Sequence, residues 1–163
     1  MQPALFGDGR LPKTLWEKVA PDTSGCWIWT ASRTRAGYGH FRRQGKNYLA
    51  HRVFYGAFVG ELVPGLQVDH RCHVRACVNP SRLGLVTRKQ NGENRAGNEA
   101  RNTSGYRGVT WHRRARKWGV QVVHNGESHW GGLFVDREEA AAAAVALRNS
   151  LFTNNLLDRH AAP

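Results

Sequence analysis

Cysteine is scarce in this sequence: only Cys26, Cys72 and Cys77 are present. An odd count, with no secretory leader before it, argues against a disulfide framework and for thiols that stay reduced or bind a metal. No apolar run is long enough to span a bilayer. No basic amphipathic stretch reads as a membrane-surface helix either. Internal repeats are lacking. Acidic side chains are few, 12 against 24 Lys and Arg. These absences exclude a disulfide-stapled scaffold, a membrane protein and a repeat array, and the expectation is a soluble, cytoplasmic protein.

What is present is positive charge. The net charge is +12 and the pI is near 10.6. A surface this basic attracts a polyanion, and neutralising phosphates releases counterions. Of the 24 basic residues, 19 are Arg. The planar guanidinium fork matches phosphate and guanine bidentately, whereas Lys offers a point charge. Nucleic acid is therefore the leading partner. Hydrophobic residues make up 40% of the chain, including six Trp, so a packed core is expected. The 163 residues suffice for one ordinary domain or two small ones.

Residues 1–11 carry Gly and Pro and little periodicity, and read as a loose tail. Pro12 opens a short predicted helix with Leu15, Trp16 and Val19 on one face. Strands are expected at Cys26–Thr30, Gly37–Phe41 and Tyr48–Ala50, the last two flanking Gln44-Gly45. A helix is predicted from about His51 to Phe58, buried through Val53, Phe54, Ala57 and Phe58 and ended by Gly60. Short strands follow at Leu66–Asp69 and Leu83–Thr87, then a polar helix over 88–96. From Gly97 to Gly105 the composition turns to Gly, Asn, Ser and Thr, which marks a boundary. Beyond it strands are predicted at 106–112, 117–123 and 129–134, with Asn125-Gly126 as a hairpin signal. Asp136 and Glu139 form a capping box for a helix over Ala140–Phe152. The fold class is α+β in two small domains. The divisions are a tail at 1–13, a first domain at 14–96, a linker at 97–104, a second domain at 105–157 and a tail at 158–163.

The chemistry-bearing string runs from Val68 to Leu83 and on to Asn91. Hydrolysis of a phosphodiester needs a base for water and a divalent cation for the charge on the phosphoryl and leaving oxygens. A neutral His suits the first task. Hard oxygen donors, a carboxylate and an amide carbonyl, suit the second. Asp69 and His70 are neighbours at a strand end, and Asn91 follows 22 residues later on a predicted helix.

This set resembles the His-Me finger (ββα-metal) superfamily, in particular HNH homing endonucleases of phages. The likeness spans roughly residues 14–95. It includes Gly25–Thr30, Gly37–Gly39, Ala50–Arg52, Asp69-His70, the two cysteines with four residues between them, Asn79-Pro80 and Asn91. The resemblance implies His70 as general base, and Asp69 and Asn91 as ligands of one catalytic cation, Mg²⁺. It makes Asn79 the residue that stiffens the loop and helps orient His70. It also offers Cys26, Cys72 and Cys77 as three ligands of a structural zinc, the alternative being three buried free thiols. The family's histidine ligand falls at Arg82, which cannot bind zinc, and His73 is the nearest substitute. Arg52 has two equal readings, a contact to the scissile phosphate or a structural ion pair.

Residues 103–153 resemble an AP2 domain, a three-stranded sheet on one helix that lies in the major groove. The likeness rests on Tyr106–Val109, Lys117-Trp118, Trp130–Phe134 and the Glu138–Ala141 run, with Thr110 and Gly131 replacing more usual residues. It implies Arg107, His112, Arg113, Gln121 and Trp130 as DNA contacts, with Arg114 and Arg116 on the backbone. Independently, Arg113, Arg114, Arg116 and Lys117 form a basic turn fit to clamp phosphate. Trp118 alternates with Val120 and Val122 and reads as core. The expected function is metal-dependent, site-specific cleavage of double-stranded DNA. The alternative is a non-cleaving DNA-binding regulator built from the same two modules. Oligomeric state and target site are not legible in the sequence.

Overall fold

A computed structural model describes residues 4–95 and 102–160. The chain divides into two compact units, residues 1–88 and 89–163. The contact boundary thus falls at Arg88/Lys89, ahead of the expected linker, of which residues 97–101 lie outside the described residues, as do residues 1–3 and 161–163 of the two tails.

The first unit is built from three two-stranded sheets and two helices. A single turn, α1 (Lys13–Trp16), leads into β1 (Val19–Pro21), which pairs antiparallel with β2 (Trp27–Trp29). Val19 therefore opens a strand and does not extend the helix. β3 (His40–Arg43) and β4 (Lys46–Leu49) form a hairpin through Gln44-Gly45, both at positive φ. α2 (Ala50–Phe58) follows directly. It buries Ala50, His51, Phe54, Tyr55 and Phe58, while the expected Val53 and Ala57 are only half-buried. Two apolar clusters meet this helix. One joins Trp16, Trp29, Phe54, Phe58 and Val78; the other joins Tyr55 to Val68 and Leu83. The second cluster seats β5 (Gln67–His70) and its antiparallel partner β6 (Leu83–Val86).

The expected N-terminal tail packs instead of trailing. The Phe6 ring meets Trp16 and Trp27 edge-on at 5.1 and 5.5 Å. Leu11 joins the core, and the Trp16 indole donates to the Asp8 carbonyl at 2.8 Å. Aromatic edge-to-face contacts on this scale add to plain area burial.

α3 (Arg88–Glu93) begins two residues after β6 and is shorter than expected. The second unit then places β7 (Val109–His112), β8 (Lys117–His124) and β9 (Glu127–Phe134) in one antiparallel sheet, order β7-β8-β9. Asn125 and Gly126, at φ 53° and 82°, close the second hairpin. α4 (Arg137–Leu151) starts where Asp136 Oδ1 accepts from the Glu138 and Glu139 amides. Its small residues Ala140 and Ala144 lie on Val109 and Val120. Gly131 permits this approach: a Cβ there would lie 2.5 Å from Val120 Cγ1 and 3.2 Å from Leu147 Cδ2. A short α5 (Leu156–His160), not expected from the sequence, ends the described chain.

Candidate active site and nucleic-acid interface

Asp69 and His70 end β5, with 9% and 5% exposure. His70 Nε2 lies 3.0 Å from the Cys77 carbonyl oxygen. A carbonyl only accepts, so Nε2 donates, and the neutral ring carries its lone pair on Nδ1. That fixes which nitrogen can take a proton. Burial holds the His70 imidazole below its ordinary range, outweighing the Cys77 carbonyl, which acts the other way. The ring is therefore neutral near pH 7, the form a base requires.

The loop that supplies the Cys77 carbonyl is zipped to β2. Trp29 N donates to Ala76 O and Val78 N to Trp27 O, both at 2.8 Å. Asn79 works at this seam. Its Nδ2 donates to Gly25 O at 2.8 Å, and its Oδ1 accepts from the Ser81 amide and hydroxyl at 3.1 and 2.9 Å. Asn79 caps the short 3-10 turn Pro80–Arg82. Its link to His70 runs through the loop and Cys77, not through direct contact.

The three cysteines converge. The sulfurs of Cys26, Cys72 and Cys77 all lie within 4.8 Å of one another, and Cys26 and Cys77 are buried. A hydrogen bond from Cys77 holds the Cys72 thiol down at about 5, and the same bond pushes Cys77 up. Metal binds cysteine as the thiolate, and the downward shift at Cys72 favours that form. Such sulfur donors fit a thiophilic ion such as zinc. Among the described residues no fourth Cys, His, Asp or Glu joins the trio. Arg82, at the position where a histidine ligand would fall, donates to the Ser24 carbonyl. His73 sits at φ 57° with Nε2 buried and without a hydrogen-bond partner, outside the trio.

Asn91 is half-buried on α3 and counts with the second unit. Its amide oxygen and the Asp69 carboxylate are both hard donors, the type Mg²⁺ takes. Arg52, on α2, is half-buried beside His51.

In the second unit α4 covers one face of the sheet, and the other lies open. On the open face Trp130 is 58% exposed and pairs across the ladder with Gln121, whose side chain bonds the Ser128 hydroxyl. Gly119 makes room for the Trp130 ring, which a Cβ would approach at 3.1 Å. Thr110, His112 and Lys117 share this face and are exposed. The β7–β8 turn exposes Arg113, Arg114 and Arg116, and His112 Nδ1 braces it by accepting from the Ala115 amide at 3.2 Å. Trp118 is half-buried against the core, as expected. Arg107 departs from its expected place. Its guanidinium donates to Glu93 O at 2.8 Å and Gly92 O at 3.3 Å, and stacks 5.2 Å over the Phe152 ring. It is committed to the fold of this unit, because the chain ahead of β7 turns it inward.

Two comparisons with known proteins bear on this geometry. An HNH endonuclease family model matches residues 48–93. Protein 2.8 of Escherichia phage T7 is 31% identical over 99 residues, covering 60% of this chain and 67% of that protein. The chain belongs to the family of that phage protein and carries an HNH endonuclease domain. No solved structure matches.

The HNH domain, as matched, runs from β4 through α3 and contains Asp69, His70, Asn79 and Asn91. It also contains His51, which the sequence reading places in the Ala50–Arg52 likeness without assigning it a role. His51, 5% exposed, sets its ring 4.8 Å from that of His70, with Tyr38 at 5.3 Å from His51 and 5.8 Å from His70. Burial, then the neighbouring His70 and Arg52, pushes His51 down to about 3. The signal was present: His51 lies three residues before Phe54, on the buried stripe of α2.

Proposed function

We propose that this protein is a site-specific, homing-type DNA endonuclease that hydrolyses phosphodiester bonds of duplex DNA. The observation that carries the reading is the His70–Cys77 hydrogen bond inside an HNH domain. It presents a neutral imidazole with its basic nitrogen at Nδ1, next in sequence to a carboxylate. His70 Nδ1 takes the proton from the attacking water. Asp69 and Asn91 hold one divalent cation, Mg²⁺, which when bound stabilises negative charge on the phosphoryl and leaving oxygens. Asn79 keeps the loop closed so that the Cys77 carbonyl stays under the ring. The cysteine trio holds a structural zinc that ties the same loop to β2.

The second unit acts as an AP2-like reader. Its open face, with Trp130, Gln121, His112 and Lys117, enters the major groove, while Arg113, Arg114 and Arg116 grip phosphates. Arg107 is left out of that set because both of its terminal nitrogens donate to carbonyls of its own unit.

The test is a plasmid-nicking assay with Mg²⁺ present or chelated, run on the parent and His70→Ala. The expected result is nicking by the parent only, and only with the ion, while both bind duplex equally. Tight duplex binding with no nicking by the parent under any divalent ion would leave a DNA-binding regulator instead.

A further inference from the structure

α3 is a weak element by itself. It has six residues and contains Gly92, and a helix this short does not hold its place unaided. Yet it carries Asn91. What fixes it is a set of hydrogen bonds from residues some 60 positions later, at the end of α4. The Glu93 carboxylate is 5% exposed. Its Oε2 accepts from Thr153 N at 2.9 Å, Thr153 Oγ1 at 3.1 Å and Asn154 N at 3.1 Å. Asn154 Nδ2 donates to Gln90 O at 3.1 Å, and Leu156 N donates to Asn94 Oδ1 at 3.1 Å. Arg107 ties down the carbonyls of Gly92 and Glu93 from a third direction. A buried carboxylate with three donors on one oxygen is costly to disturb. Two of the three donors are backbone amides, so the contact ties α3 to the course of the chain at 153–154 and not merely to another side chain.

We propose that Glu93 is a positioning residue for Asn91. It fastens the helix bearing the metal-binding amide to the Thr153–Asn154 loop of the same unit, and so fixes how that amide is presented. This rests on the reading above that Asn91 is a cation ligand. Asn154 shares the role, by closing the same bracket on Gln90. Groups that orient metal ligands from behind typically alter affinity by about 10-fold or more when removed.

The experiment uses the full chain carrying His70→Ala, so that DNA stays uncut, with sheared mixed-sequence duplex present. Mn²⁺ binding is followed by electron paramagnetic resonance, amide exchange in α3 by mass spectrometry, and duplex affinity by fluorescence anisotropy. Adding Glu93→Gln or Asn154→Ala is expected to weaken Mn²⁺ binding about 10-fold and speed exchange in α3 while duplex affinity holds. Thr153→Ser, which keeps the hydroxyl donor, should behave as the parent. Mn²⁺ binding unchanged in Glu93→Gln and Asn154→Ala, beside an Asn91→Ala control that has lost it, overturns the role of Glu93 alone. An Asn91→Ala control that binds Mn²⁺ like the parent overturns the ligand reading beneath it. Mn²⁺ and duplex affinity falling together would show general loss of the second unit's fold, and would also overturn the proposal.

Discussion

The two units solve opposite problems. Among the described residues the first has no sheet wider than two strands, and its hairpins are held by an aromatic cluster, a loop zipped to β2 and three converging cysteines. Inside it lie polar groups that a simple core would reject: Asp69, His70 and His51, all at 9% exposure or less. The second unit is regular, with strands of up to eight residues and a 15-residue helix over a core of Val and Ala. It keeps Trp130 and its run of arginines outside, on the open face and the β7–β8 turn. Irregular structure here encloses chemistry in low dielectric, where a base can be held neutral. Regular structure presents a rigid, exposed surface, the kind the proposed DNA-reading role calls for.

The sharpest way to break this contrast is at His70. His70→Ala should slow cleavage by roughly 10²–10⁴-fold, measured in single-turnover nicking, with duplex affinity unchanged. The parent's pH profile sharpens it further. Because burial holds the His70 imidazole below its ordinary value of 6.5, the acid limb of the rate should fall below pH 6.5. A rate already falling above that pH would place another group in control.

His51 predicts a stability effect confined to the first unit. Its folded value is about 3 against 6.5 in the free state. Between those values the unfolded chain binds a proton that the folded chain refuses, so stability falls as pH falls, by about 1.4 kcal/mol per unit for this group. Above pH 6.5 the contribution is complete. Urea unfolding of His51→Phe from pH 7 to 4 should show a shallower loss than the parent; an identical slope would remove His51 from the account.

A paired substitution tests packing in both units. Gly39 lies so close to buried Trp29 that a Cβ would sit 2.6 Å from Cγ, and Gly131 stands likewise against Val120. Gly39→Ala and Gly131→Ala should each cost about 1–3 kcal/mol by thermal unfolding. Only Gly39→Ala should impair the nicking chemistry, and only Gly131→Ala the duplex affinity. Crossed effects would mean that the units do not divide the labour as argued.

Legibility followed locality. Gln44-Gly45, Asn125-Gly126 and the Asp136 cap were readable because turn and cap chemistry is set by adjacent residues. The β5, β6 and α3 order was readable from short apolar runs and their spacing. The cysteine trio was expected through the resemblance, which pairs an upstream cysteine with two in the loop after His70, and the three sulfurs do converge. Other features depend on long-range closure. Phe6 has no periodic neighbour to announce that it wedges beside Trp16 and Trp27. Arg107 looks like any basic contact until Gly92 and Glu93 bring two carbonyls to it. The donating nitrogen of His70 is decided by a carbonyl seven residues away, which only loop closure on β2 delivers.

The smallest expected effect lies on the second unit's exposed turn. Arg114 is exposed, and among the described residues its side chain makes no hydrogen bond or ion pair, so Arg114→Ala should leave thermal stability unchanged. If its guanidinium meets one phosphate, the slope of log affinity against log salt should fall by about 0.9, equally for any duplex sequence. Trp130→Ala gives the complement: weaker binding with the same salt slope, because an aromatic ring displaces no counterion. Arg107→Ala should do neither cleanly, since it breaks internal bonds and lowers stability first. Should Arg107→Ala instead change only the salt slope, its guanidinium would be free for DNA in solution, and the division between interior and presenting arginines would fail.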